Sequence, residues 1–115
     1  MDDQTKSRVR HMLMAIEDVR RVTHNKSFDD YFADRDLQAS VERFIERLSE
    51  ASRHLPKALK DQYPHIDWRG LADIGNVLRH LYDHVSPTRL WQAVEREIPP
   101  LEKVVRGLLG DTEGR

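Results

Sequence analysis

The sequence contains no cysteine, which removes disulfides and thiolate metal sites from consideration and fits a reducing compartment. No apolar run approaches the roughly 20 residues needed to span a bilayer. The N-terminal MDDQTKSR lacks the apolar stretch of a secretory signal, so a cytoplasmic protein is expected. Nothing alternates with period two, and neither Asn-Gly nor Asp-Gly occurs to close a hairpin, which argues against a β fold. An excess of one charge is missing too: 19 basic side chains face 20 acidic ones. No global field therefore pulls the chain onto nucleic acid or an anionic membrane, and any contact with RNA must be local. Internal repeats, linkers and low-complexity segments are also absent.

What is present is helical periodicity. At 115 residues, 38% hydrophobic and 34% charged, the chain can build one core but not two. A single domain over 1–115 is expected, with its core at about 8–109 and a polar tail at 110–115. Val9, Met12, Leu13, Ile16, Val19 and Val22 recur in steps of three and one, placing a first helix at about 5–23. Ser27 can cap a short turn through Phe28–Phe32 whose Asp29 and Asp30 suit the positive helix start. Asp34 caps a long helix with Leu37, Val41, Phe44, Ile45, Leu48 and Leu55 on one side and a solvated Glu/Arg face on the other. Pro56 should end that helix near His54, with Lys57–Gln62 forming a further short turn. Ser86 and Pro87 read as the cap and first residue of a later helix carrying Leu90, Trp91 and Val94. Pro99 and Pro100 should break it, leaving a final helix that ends at Gly110. The expected fold is all-α: an antiparallel up-and-down bundle of four main helices plus short helical turns.

The chemistry gathers in the stretch Asp67–Trp91. Asp67 is a candidate N-cap, and Trp68, Leu71, Ile74, Leu78 and Leu81 mark one buried face. At about 100° per residue, Asp73, Asn76, His80 and His84 fall in a narrow arc away from that stripe, with Asp83 at its edge. Asn76, His80 and Tyr82 resemble the signature of the HEPN superfamily, in particular its HepT-like toxins. That pattern runs arginine, a polar residue, three variable residues, histidine, one variable residue, tyrosine. Gly75 stands here in place of the arginine. The resemblance extends to Pro56, Tyr63, Pro64, Asp67 and Trp68 before the motif, to Trp91, Pro100 and Leu101 after it, and to the segment Phe28–Phe32. It covers roughly residues 8–109.

The resemblance implies a HEPN-like bundle and a metal-independent endoribonuclease toxin that acts as a homodimer, with its cleft where two motif helices meet. It also implies a minimal nucleotidyltransferase antitoxin that transfers AMP to the motif tyrosine. Carried over by position, His80 is the catalytic histidine, Asn76 its polar partner and Tyr82 the modified residue, with no cofactor and no metal. Metal-free cleavage needs the RNA 2′-hydroxyl to attack the adjacent phosphate, with proton transfer at the attacking and leaving oxygens. It also needs positive charge on the phosphorane, a task suited to a guanidinium. Arg79, beside His80, is the candidate substitute for the missing arginine, and an arginine of a second subunit is another. Asp73 could orient an imidazole or be a solvated helix charge, and Tyr82 could equally be a partly buried interface residue. A mid-helix glycine at position 75 costs about 1 kcal/mol relative to alanine, and close approach of another helix would account for it.

His80 and His84 are spaced to face one metal ion, but no convincing third ligand accompanies them. His11, His24, His54 and His65 read as surface residues. Asp29, Asp30, Asp34 and Asp36 read as helix capping or as a surface opposing a basic antitoxin. A non-catalytic HEPN module that dimerises and binds a nucleotidyltransferase or a nucleotide is the alternative to the ribonuclease.

Overall fold

The computed structural model describes residues 1–80 and 85–113, and the fold is all-α, with no strand among them. Helix α1 spans Asp3–Thr23, α2 Phe28–Ala33, α3 Arg35–Arg53, α4 Lys57–Asp61 and α5 Trp68–His80. Helix α6 spans Pro87–Gln92 and leads through a wide π-helical turn, Ala93–Glu97, into α7, Ile98–Glu113. The main helices are α1, α3, α5 and α7. Helices α1 and α3 pack face to face at the centre, α5 lies against α3, and α7 lies against α1.

Local chemistry sets most of the boundaries. Asp2 accepts a hydrogen bond from the Thr5 N–H at 2.7 Å to open α1. That helix closes beyond His24 at Asn25, whose φ of 58° is a left-handed conformation that asparagine tolerates. Ser27 and Asp30 form a reciprocal capping box on α2, and Asp34 accepts from the Leu37 N–H at 3.0 Å to start α3. Helix α3 ends one residue before His54, as Pro56 requires. The Trp68 indole N–H donates to the Lys60 and Tyr63 carbonyls at 3.2 and 3.1 Å, tying the incoming loop to the start of α5.

Met12, Ile16 and Val19 of α1, Val41, Ile45 and Leu48 of α3, Leu90 of α6 and Val105 of α7 are essentially removed from solvent. Tyr31 is buried against Trp91, with ring centroids 5.2 Å apart, and burial, with the nearby Glu42 charge, pushes its phenol well above the ordinary range.

Two expectations at the C-terminal end are corrected. Pro99 and Pro100 do not break the chain into separate helices. A regular α-helix would press the Pro99 ring against the carbonyl of Glu95. Here the turn widens first, the Ile98 N–H reaching back five residues to the Ala93 carbonyl, and both prolines are absorbed into the first turn of α7. The Arg89 guanidinium holds the Glu97 carboxylate at 2.6 and 3.3 Å across this turn. Helix α7 also continues past Gly110 to Glu113, because a glycine weakens a helix without terminating it.

The α1/α7 seam is antiparallel and carries an ion cluster. Glu102, 9% exposed, accepts from Arg20 and Arg106, and Arg106 also reaches Glu17. Burial works against the Glu102 charge, but the hydrogen bonds from Arg106 and Arg20 outweigh it and hold its carboxyl below the ordinary range. A depressed carboxyl contributes stability above its unfolded-state pKa, and that contribution disappears as pH falls through its lower folded-state pKa. Glu102→Gln is expected to lower stability by about 1–2 kcal/mol near neutrality, with both arginines half-exposed. In thermal unfolding the gap between variant and wild type should close as pH drops below about 4, and a constant gap would refute this account.

Candidate active site

Helix α5 turns Ile74, Gly75 and Leu78 toward the core, which leaves Asp73, Asn76 and His80 exposed and Arg79 half-buried. Gly75 sits where α5 crosses α3. A Cβ built there would run into the Ser49 side chain, whose Oγ is itself fully buried and has no hydrogen-bond partner among the described residues. The close approach expected for this glycine is therefore present. The position that would carry the pattern's arginine lies inside the helix crossing and has no room for a side chain.

A guanidinium reaches the histidine by another route. Arg79 Nε donates to His80 Nε2 at 3.3 Å, and Arg79 NH2 lies 3.4 Å from Asn76 Oδ1. Its NH1 donates to Glu50 Oε1 at 3.0 Å, a bond from α5 to α3. The Glu50 carboxylate is shared further: His54 Nε2 lies 3.0 Å from its other oxygen, and Arg53 lies 3.6 Å away. The His54 hydrogen bond, with the charges of Arg53 and Arg79, holds the Glu50 carboxyl below the ordinary range despite some desolvation. Asn76, Arg79 and His80 thus form one contiguous group, with Glu50, Arg53 and His54 completing it from α3.

In the sequence Glu50 and Arg53 read as part of an ordinary solvated face and His54 as a surface histidine. The Glu50/His54 spacing of four gives a local pair, but nothing in the sequence indicates that α5 crosses beside it. Asp73 lines a different groove, with Gly70, Val77, Ser86 and Arg89. Tyr82 and His84 lie outside the described residues, as do Leu81 and Asp83. Among the described residues no three His, Cys, Asp or Glu side chains are grouped to hold a metal ion, and no helix is long and apolar enough to cross a membrane.

Glu50 also lines a groove of about 280 Å³ between α1 and α3, walled by Arg8, His11, Met14 and Arg47. It extends the basic surroundings of the α5 group along the bundle.

The family profile described as Ribonuclease HepT-like matches residues 12–108, which includes every described member of this group. The chain belongs to the HepT-like ribonuclease family. Among its curated relatives is a protein of Thermococcus cleftensis named "Probable ribonuclease HepT", 35% identical over 88 residues, covering 76% of this chain and 80% of the relative. Two more of the relatives, both from Methanocaldococcus jannaschii, carry the words "putative RNase" in their names. One, also named for gamma-glutamylcyclotransferase, is 30% identical over 113 residues, which is 98% of this chain and 51% of that protein. The chain thus spans about half the length of that relative. The other is 28% identical over 104 residues, 90% of this chain and 86% of the relative. No solved structure shows a significant match. Within residues 12–108 the Arg79 guanidinium lies 3.3 Å from the His80 ring, and position 75 is glycine.

Proposed function

We propose that this HepT-like chain is a metal-independent endoribonuclease, the toxin of a two-gene toxin–antitoxin pair in the cytoplasm. The observation that carries the proposal is the Arg79 guanidinium bonded to His80 beside Asn76 on the polar face of α5. His80 Nε2 takes the proton of the RNA 2′-hydroxyl. The 2′-oxygen forms a bond to phosphorus, and the bond from phosphorus to the 5′-oxygen breaks as that oxygen takes up a proton from a second donor, leaving a 2′,3′-cyclic phosphate and a 5′-hydroxyl. Arg79 neutralises charge on the phosphorane with its planar donors. The RNase names of the relatives support this activity, and the Arg8/Arg47 groove offers local positive charge on a chain whose net charge is only −1.

The finer parts of the proposal follow the family pattern. The active cleft forms between the α5 helices of a homodimer, and a nucleotidyltransferase antitoxin silences it by nucleotidylating Tyr82. A second reading draws on Gly75: a chain without the pattern's arginine acts as a non-catalytic module that dimerises and binds a nucleotidyltransferase or nucleotide.

The test is incubation of the purified protein, verified by mass to carry no adduct on Tyr82, with single-stranded RNA in excess EDTA. Cleavage that persists under chelation and leaves cyclic phosphate ends is expected. Absence of cleavage would favour the binding module, and cleavage abolished by EDTA would remove the metal-free mechanism.

A further inference from the structure

Cleavage by 2′-hydroxyl attack involves two proton transfers at two different oxygens, and one imidazole cannot act at both in a single concerted step. The α5 group supplies one imidazole, and His54, just beyond the end of α3, supplies a second. His80 and His54 are joined through Arg79 and Glu50, a path of three polar contacts of 3.3, 3.0 and 3.0 Å. The partners at the two ends differ in kind. An arginine Nε–H can only donate, so the His80 Nε2 that it meets is an acceptor and carries no proton. Glu50 is ionised and can only accept, so the His54 Nε2 that faces it carries one. Two ring nitrogens directed at one cluster thus have opposite proton states, dictated by their partners.

We propose that His54 is the proton donor to the leaving 5′-oxygen, brought beside Arg79 by the Glu50 carboxylate that both contact. The inference rests on the ribonuclease reading above. When the substrate phosphate takes up the Arg79 donors, His80 Nε2 is released to accept the 2′-hydroxyl proton. His54 acts as the imidazolium: its Nε2–H turns from Glu50 to the 5′-oxygen and the proton passes there as the bond to phosphorus breaks, leaving a neutral ring, so one proton enters the protein and one leaves. Each subunit then holds both proton carriers, and the second subunit is not needed to supply the acid.

The experiment uses the full chain in EDTA and an RNA whose cut linkage has first been mapped with wild type. The same RNA is then made with sulfur replacing the 5′-oxygen at that linkage. Thiolate departs without protonation, so loss of a general acid is rescued by this substrate and loss of the base is not. His54→Ala and His54→Gln are expected to cut ordinary RNA about 10²-fold more slowly, or worse, while cutting the thio-linked RNA within a few-fold of wild type. His80→Ala should be slow on both. Folding of each variant is checked by thermal unfolding, and His54 is half-exposed just beyond the end of α3, where either replacement is tolerated. Wild-type rates on ordinary RNA in the His54 variants would overturn the proposal, and so would equal losses on both substrates in folded variants. Wild-type protein that cuts neither RNA would instead overturn the ribonuclease reading on which this rests.

Discussion

His80→Ala is expected to lower RNA cleavage by about 10²- to 10⁴-fold, the range for loss of a positioned proton acceptor. Its ring is exposed and contributes no core contact, so stability should stay within about 0.5 kcal/mol of wild type. The loss would then be chemical and not a consequence of unfolding. Arg79→Ala should produce a loss of similar origin, about 10²- to 10³-fold in turnover, because a donor aimed at developing charge is removed. Arg79→Lys should recover only part of it. An ammonium keeps the charge but cannot contact His80, Asn76 and Glu50 at once with the planar fork used here. Single-turnover cleavage of a defined RNA in EDTA measures all three. Wild-type rates in His80→Ala would end the proposed mechanism, and wild-type rates in Arg79→Ala would show that the phosphate is met by another cation.

Restoring the family's arginine should destroy the protein. Gly75→Arg places a long charged side chain where α5 meets Ser49 of α3, and no rotamer avoids that contact because the clash begins at Cβ. The expected result is loss of cooperative unfolding and of soluble protein. Gly75→Ala is the milder version. It gains about 1 kcal/mol of helix propensity but overpacks the crossing, at a typical cost of about 1–3 kcal/mol, so a net destabilisation of up to about 2 kcal/mol is expected. Ser49→Gly in the same chain should recover much of that loss, and a double-mutant cycle by urea unfolding would display the coupling between the two positions. A Gly75→Arg protein as stable as wild type would show that the helices are not in close contact at this point.

The Gly75/Ser49 pair also illustrates which features could be read from the residues alone. Glycine in the middle of an amphipathic helix signals a close approach, since only contact explains its persistence against its own conformational penalty. The partner was out of reach, because Ser49 lies 26 positions earlier and carries no distinguishing mark. Boundaries governed by neighbouring residues were legible: the Ser27, Asp34 and Asp67 caps and the stop before Pro56 all depend on groups within a few positions. So was the polar arc of Asn76 and His80, which depends on helical geometry alone. The place of Glu50 and His54 beside Arg79 was not, because it comes from how two helices cross. Pro99 and Pro100 were misread for a related reason. A proline ends a regular helix, but a turn with one extra residue accommodates it, and no residue in Ala93–Glu97 advertises that turn.

That turn also fixes the angular phase of everything after it. Each residue advances a helix by about 100°. Deleting a single position between Ala93 and Glu97 would leave the composition of α7 intact yet rotate the helix by that amount about its own axis. Leu101 and Val105 would swing out of the core, and Glu102 would leave the reach of Arg20. The C-terminal quarter of the bundle is therefore more sensitive to a change in length upstream of it than to most changes of residue within it.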